Sequence, residues 1–365
     1  MLVFLVAATL ALLLAGLALP VAASVSAPFA AHLVLALAVM SLITAAMQHF
    51  VPVLVRGRGA GRWLARLPWL MALAGALAAA VFGGWLAYAA VTVAALVGLA
   101  GAATMLAWMT ARARAALGPA HPGLAWYVAA MACLALGLAA AALIPWLPGW
   151  HAALRAFHVH INLYGFVGLT AVGTLQVLMP TVAGRPDPDA AARLRRDLVW
   201  AASGALMLAA GKAFDAAVPV WLGIAAWAWP LARLARAWVR LHGRAMVRLH
   251  GGEPVLAAAL FGFACALVSA GRPDTAPLAV FLPGFLFPLV SGAAGHLAPV
   301  WARPGAPAAV QAEARRRLNR HGGLRALLFA TAAVLPALAY PCAGMPGLTA
   351  LVWFLALFAA WLWKD

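Results

Sequence analysis

The sequence predicts an all-α integral membrane protein built from twelve transmembrane helices. Three features predict this class: 67% of the 365 residues are hydrophobic, 9% are charged, and long apolar runs recur along the whole chain. Soluble domains carry roughly 25% charged residues, so a soluble enzyme, a disordered chain and a secreted disulfide scaffold are excluded. The three cysteines lie far apart and form neither a zinc site nor a motif for covalent haem attachment.

A spanning helix needs about 20 apolar residues. The predicted spans lie at 2–22, 29–55, 67–82, 86–110, 124–147, 154–182, 198–215, 217–239, 253–271, 277–301, 324–340 and 347–363. Only the segment from Phe82 to Trp85 separates the third span from the fourth. No basic region precedes the first span, so it is interpreted as structure and not as a cleavable signal peptide.

Charge placement supports this count and gives the topology. The segments that follow even-numbered spans, with the C-terminus, hold all of the 25 basic residues except Arg155, Lys212 and Arg272. The positive-inside rule therefore places both termini in the cytoplasm, and we expect a bacterial inner-membrane protein. The net charge of +17 is then a topology signal, so the expected partner is the lipid bilayer and not nucleic acid.

A repeat relates spans two, six and ten. A shift of 128 residues superposes His32 on His160, and a further shift of 119 residues superposes the sixth span on the tenth. The other matched positions are Gln48 with Gln176, Gly165-Phe166 with Gly284-Phe285, Gly173 with Gly292, His49 with His296, and Pro52 with Pro180 and Pro299. Three pseudo-equivalent four-helix arcs are predicted. The prolines mark the cytoplasmic helix ends, and the glutamines either bridge helices or contact a cofactor.

Five histidines lie within the predicted spans. They are His32, His49, His158, His160 and His296, whereas all eight acidic residues are expected in loops or at helix ends. Buried histidine without carboxylate suits metal or haem-iron ligation and weakens the case for a proton pump. The other five histidines are expected to be solvated.

Helical rise separates these histidines into two levels. His32 and His49 lie roughly 25 Å apart along one helix and cannot serve one site. His32 and His160 are expected to share an outer site, and His49 and His296 a cytoplasmic one. His158 points to another side of its helix and is interpreted as a ligand or as an interfacial side chain.

Two further residues accompany the outer histidines. Tyr164 returns to the face of His160 and is a candidate redox residue or a hydrogen-bonding residue. Arg155 is a candidate partner for a haem propionate or an interfacial anchor.

The chain has twelve predicted spans, with His32 on span two and His160-Ile-Asn-Leu-Tyr164 on span six. This plan resembles subunit I of the haem-copper oxidases and the smaller NnrS-like membrane proteins. The resemblance implies a low-spin haem ligand at His32 and a copper ligand at His160. Span seven has no histidine pair, and Ala279 stands at the position on span ten that is equivalent to His160. A complete oxygen-reducing centre is therefore not expected.

The leading hypothesis is a protein that binds haem b, with copper as a second candidate cofactor. It has a redox role or handles a diatomic gas such as nitric oxide, and does not pump protons; if it is an enzyme, it is an oxidoreductase. There are two alternatives. One is a transmembrane electron conduit with two metal sites, and the other is a protein that handles copper or haem. An electron donor or a partner subunit is the candidate protein partner.

Overall fold

The computed structural model describes residues 1–22, 25–116, 118–272, 276–338, 340 and 342–364, and these residues form helices joined by short connections. We number the helices α1 to α13. Their bounds are Leu2–Ala22, Ala27–Leu54, Leu64–Phe82, Ala90–Arg114, Gly123–Trp146, Pro148–Val182, Ala190–Ala213, Ala217–Met246, Glu253–Ala270, Pro277–Ala302, Ala308–Leu318, Gly322–Val334 and Met345–Lys364. Within the described ranges no residue lies in a strand.

Each of the twelve predicted spans coincides with one of these helices, and α11 is an additional short helix. Among the described residues, nine helices are long and apolar enough to cross a membrane. They are α2, α3, α4, α5, α6, α8, α9, α10 and α13. The chain is thus an all-α membrane protein. The narrow division between spans three and four is confirmed, because α3 ends at Phe82 and Gly84 adopts a positive φ of 80°.

One expectation about the acidic residues is wrong. The helix of span seven begins at Ala190, eight residues before the predicted start at 198, because the charged turn around Arg193 is helical. Asp197 therefore lies inside α7 and is fully buried, and Glu253, at the first position of α9, is also buried. Asp274 and Asp365 are outside the described residues.

The helices α2, α6 and α10 each contain a π-helical stretch, in which backbone hydrogen bonds run to the carbonyl five residues back. The stretches are His32–Val39, Ile161–Val167 and Phe281–Leu286. Adding 128 and then 119 to the first range gives 160–167 and 279–286, so the three stretches coincide within two residues. Because π-helical turns are rare, this agreement supports the repeat among the three helices.

A glycine on the preceding helix packs against each π-helical stretch. A β-carbon added at Gly16 would lie 2.1 Å from the Val34 side chain, and one at Gly137 would lie 2.4 Å from Asn162. A β-carbon added at Gly262 would lie 1.8 Å from the Gly284 carbonyl oxygen. The repeat therefore includes the close approach of two helices at the irregular turn.

The helices belong to two compact units. The first unit contains Met1–Leu14, Leu175–Pro188 and Ala228–Asp365, and the second contains Ala15–Thr174 and Asp189–Trp227. In the second unit, the indole N–H of the buried Trp126 on α5 donates to the Leu194 carbonyl on α7, which links these helices. The repeat prolines lie within the last four residues of α2, α6 and α10, as predicted for helix ends.

Candidate functional site

His32 and His158 lie side by side in the second unit. Their ring centroids are 6.4 Å apart and the two ring planes differ by 10°. His32 begins the π-helical stretch of α2, and His158 lies three residues before the π-helical stretch of α6. Neither helix carries an acidic residue, so this is a pair of imidazoles without a carboxylate.

Backbone carbonyls fix which nitrogen of each ring carries the proton. His32 Nδ1 lies 2.7 Å from the Pro28 carbonyl oxygen, and His158 Nδ1 lies 2.8 Å from that of Gly137. A carbonyl only accepts, so each Nδ1 is the protonated nitrogen and each Nε2 keeps its lone pair. This is the arrangement that orients a histidine for metal ligation through Nε2.

Apolar and amide groups hold the pair in place. The Phe82 ring stacks on His32 with centroids 4.4 Å apart, and Phe82 in turn contacts Tyr88. The Asn162 amide donates to the backbone carbonyl of His158 at 2.7 Å. The two rings are therefore fixed from several directions and shielded on one side by an aromatic ring.

The expected pairing of His32 with His160 is not the one the structure shows. The imidazole that lies 6.4 Å from that of His32 belongs to His158, although the sequence predicts that His158 points to another side of its helix. The reason is local: His158 donates across to α5 at Gly137, whereas His160 Nδ1 bonds within its own helix to the Ala156 carbonyl at 2.8 Å.

His160 occupies a separate buried position. Its side chain is 7% exposed, and its Nε2 has no hydrogen-bond partner among the described residues. The fully buried Tyr164 ring lies 6.2 Å away at an angle of 19°, as the four-residue spacing predicts. His160 thus presents an unpaired acceptor nitrogen to the interior of the unit.

The predicted cytoplasmic pair is divided between the two units. His49 is exposed on α2 in the second unit, where its ring contacts Phe50 at 5.2 Å. His296 is buried on α10 in the first unit, and its backbone carbonyl accepts from Arg315 Nε at 3.2 Å. The pairing of these two histidines stays a prediction.

The remaining candidates have simpler surroundings. Arg155 is exposed on α6, three residues before His158 and hence on the same helix face. Gln48 donates to the Leu64 carbonyl at the start of α3, which confirms the interhelical role considered for it.

Three contributors to the site were missed by the sequence reasoning. Phe82 was recognised only as a turn marker, and Gly137 contributes a backbone carbonyl, which leaves no trace in the residue type. Asn162 follows His158 by four residues, and that spacing was the available signal.

Among the described residues, no group of three or more His, Cys, Asp or Glu side chains is placed to hold a metal ion. The donor set is two imidazoles, with a third imidazole on the same helix. Protein-family models, curated proteins and solved structures were compared with the chain, and none matches it.

Proposed function

We propose that this chain is a membrane protein that binds haem b without a covalent link, with His32 and His158 as the two axial ligands. The observation that carries the proposal is the geometry of the imidazole pair. Two imidazoles that bind opposite sides of one ion at about 2.0 Å, with ring centres roughly 1.1–1.2 Å behind the nitrogens, have centroids about 6.3 Å apart. The separation of 6.4 Å matches this distance.

The donor set fits haem better than a bare ion. A bare Zn²⁺ ion in a protein takes three or four protein ligands, whereas a haem iron already has four ring nitrogens and needs one or two more. Two neutral imidazoles, each oriented by a carbonyl, satisfy that need. Bound haem would supply one-electron chemistry, while Phe82 shields His32 and Arg155 is placed on the face of His158 to pair with a propionate.

Two histidine ligands favour electron transfer over gas binding at this position. If both histidines held one haem iron, they would leave no open coordination position there for a diatomic gas such as nitric oxide. The buried and unpaired Nε2 of His160 favours a second candidate role, as the ligand of copper or as the position near which a gas is handled. An unsatisfied buried acceptor costs about 1–3 kcal/mol, which a ligand would offset.

The finer architecture is part of the same proposal. It includes twelve membrane-spanning helices with both termini in the cytoplasm of a bacterial inner membrane, and a distant relation to haem-copper oxidase subunit I and NnrS-like proteins. The coincidence of a helix with each predicted span supports this part. The recurrence of π-helical turns in α2, α6 and α10 supports the three arcs. An electron conduit would use His49 and His296 as a second site, and a handling protein would bind its metal only transiently.

Spectroscopy of the purified full-length protein tests the proposal. Protein made in haem-replete cells and purified in detergent should show a Soret band, sharp α and β bands on reduction, and a haem b pyridine adduct. The variants His32→Ala and His158→Ala should each lose the low-spin spectrum, because each removes one axial imidazole.

Two matched substitutions serve as controls. His160→Ala on the same helix and His151→Ala, an exposed histidine beside Tyr88, should keep the low-spin spectrum. Iron and copper analysis distinguishes one haem, two haems and copper alone. Absence of a Soret band, with none restored by added haem, would contradict the proposal.

A further inference from the structure

Arg325 is a buried cation in the first turn of α12, within the first unit. Its side chain is fully buried, and its guanidinium carbon lies 5.0 Å from the centroid of the Phe354 ring on α13. One nitrogen, Nη2, donates to the Leu318 carbonyl at 3.0 Å. The other two, Nε and Nη1, have no hydrogen-bond partner among the described residues.

No described acidic side chain neutralises this charge. Glu313, on α11, pairs instead with Arg316 and Arg317, and the buried Glu253 forms no ion pair with Arg325. A buried cation without a counter-charge is strongly unfavourable, and each unsatisfied donor adds to the penalty. The side chain therefore has the properties of a residue that holds an anion.

His321 offers a further donor beside the same turn. Arg320 Nε donates to His321 Nε2 at 3.2 Å, so the proton of the neutral ring lies on Nδ1. That Nδ1 has no hydrogen-bond partner among the described side chains and backbone groups. His321 is half-buried, and its backbone carbonyl accepts from the Arg325 backbone N–H at 3.2 Å, so the two residues belong to the same turn.

The surrounding charge is strongly positive. Arg315 lies on α11 and Arg320 lies in the turn that follows it, and the N-terminal end of α12 adds the positive end of a helix dipole. Partial burial and the charges of Arg320, His250 and Arg325 lower the pKa of His321. The described acidic neighbours are Glu253, beside Gly251, and Glu313, which pairs with Arg316 and Arg317, and the basic residues outnumber them.

We propose that Arg325 and His321 bind a phosphate group, supplied either by the headgroup of an anionic phospholipid or by free phosphate. The planar guanidinium presents several N–H groups to phosphate oxygens at once. Basic pockets between membrane helices on the cytoplasmic side are suited to anionic headgroups. The proposal does not rest on the haem proposal, because none of its residues belongs to the second unit, which contains His32 and His158.

Thermal unfolding of the full-length protein in lipid nanodiscs tests this site. One arm compares discs of phosphatidylcholine with discs that contain phosphatidylglycerol, and the other adds inorganic phosphate to phosphatidylcholine discs. A ligand that binds only the folded state raises the midpoint, by an expected few degrees near saturation. A rise in the first arm identifies a lipid headgroup, and a rise in the second identifies free phosphate.

The variants decide between specific binding and general charge attraction. Arg325→Gln should abolish the rise, whereas Arg316→Gln, which removes the same charge from an exposed position, should keep it. If Arg325→Gln fails to fold, Arg325→Lys replaces it, because lysine keeps the charge but lacks the planar guanidinium. The affinity of this variant for the phosphate group should be at least fivefold lower than that of the natural protein. No rise in either arm, or equal affinity in the Arg325 variants and the natural protein, would overturn the proposal.

Discussion

Replacing Gly262 by alanine should separate α9 from α10 at the π-helical stretch of α10. The new β-carbon would lie 1.8 Å from the Gly284 carbonyl oxygen and 2.3 Å from its carbonyl carbon. Both are backbone atoms, so no side-chain rotation relieves the overlap and the helices must move apart by more than about 1 Å. Overpacking of this kind costs typically 1–3 kcal/mol. Alanine returns roughly 0.5–1 kcal/mol through its better helix propensity, so we expect a net loss of about 1 kcal/mol.

The matched control is Gly243→Ala near the end of α8. No atom lies within 4 Å of the position of its β-carbon, so the propensity gain should appear alone, as a rise of up to about 1 kcal/mol. The assay is the apparent unfolding midpoint in detergent, followed by circular dichroism at one fixed scan rate. If Gly262→Ala is as stable as Gly243→Ala, the close contact between α9 and α10 does not exist.

Three further results are expected. Gly137→Ala should lower the low-spin haem absorbance without loss of helix content. The alanine β-carbon would displace the Asn162 amide, which donates a hydrogen bond to the His158 carbonyl. Unchanged spectra would contradict this. Proteoliposomes given a reductant and oxygen should show no outward acidification, since α2, α5 and α6 contain no acidic residue, and stoichiometric acidification would refute this. The unfolding midpoint should fall as the pH drops through about 6.5, because the pKa of His321 is lowered in the folded protein and the unfolded chain therefore binds more protons. The variant His321→Gln should reduce that fall. An identical fall in the variant would exclude His321 as the cause.

The helices were predictable because hydropathy and charge act over long segments. Apolar runs of about 20 residues specify spans without any knowledge of their neighbours, and the coincidence of a helix with each predicted span follows from that. The start of α7 was misjudged for the same reason. Its first turns are charged, so hydropathy assigned them to a loop and placed the buried Asp197 outside the helix.

The pairing of histidines was not predictable because it depends on backbone irregularity. An ideal α-helix puts His158 and His160 on different faces, and the repeat then favoured His160. The Gly137 carbonyl on α5 instead orients His158 toward His32. A main-chain acceptor on another helix and a π-helical turn have no residue-type signature, so the sequence could identify the candidates but not their partners.

The most direct test of the haem proposal is the electron paramagnetic resonance spectrum of the oxidised protein at low temperature. The ring planes of His32 and His158 differ by 10°, and nearly parallel axial imidazoles give a rhombic low-spin ferric signal with three resolved g values. We expect that signal in the natural protein and in His160→Ala, and its loss in His32→Ala and His158→Ala. A highly axial signal with one large g value, or a rhombic signal that persists in His158→Ala, would contradict the assignment of this pair.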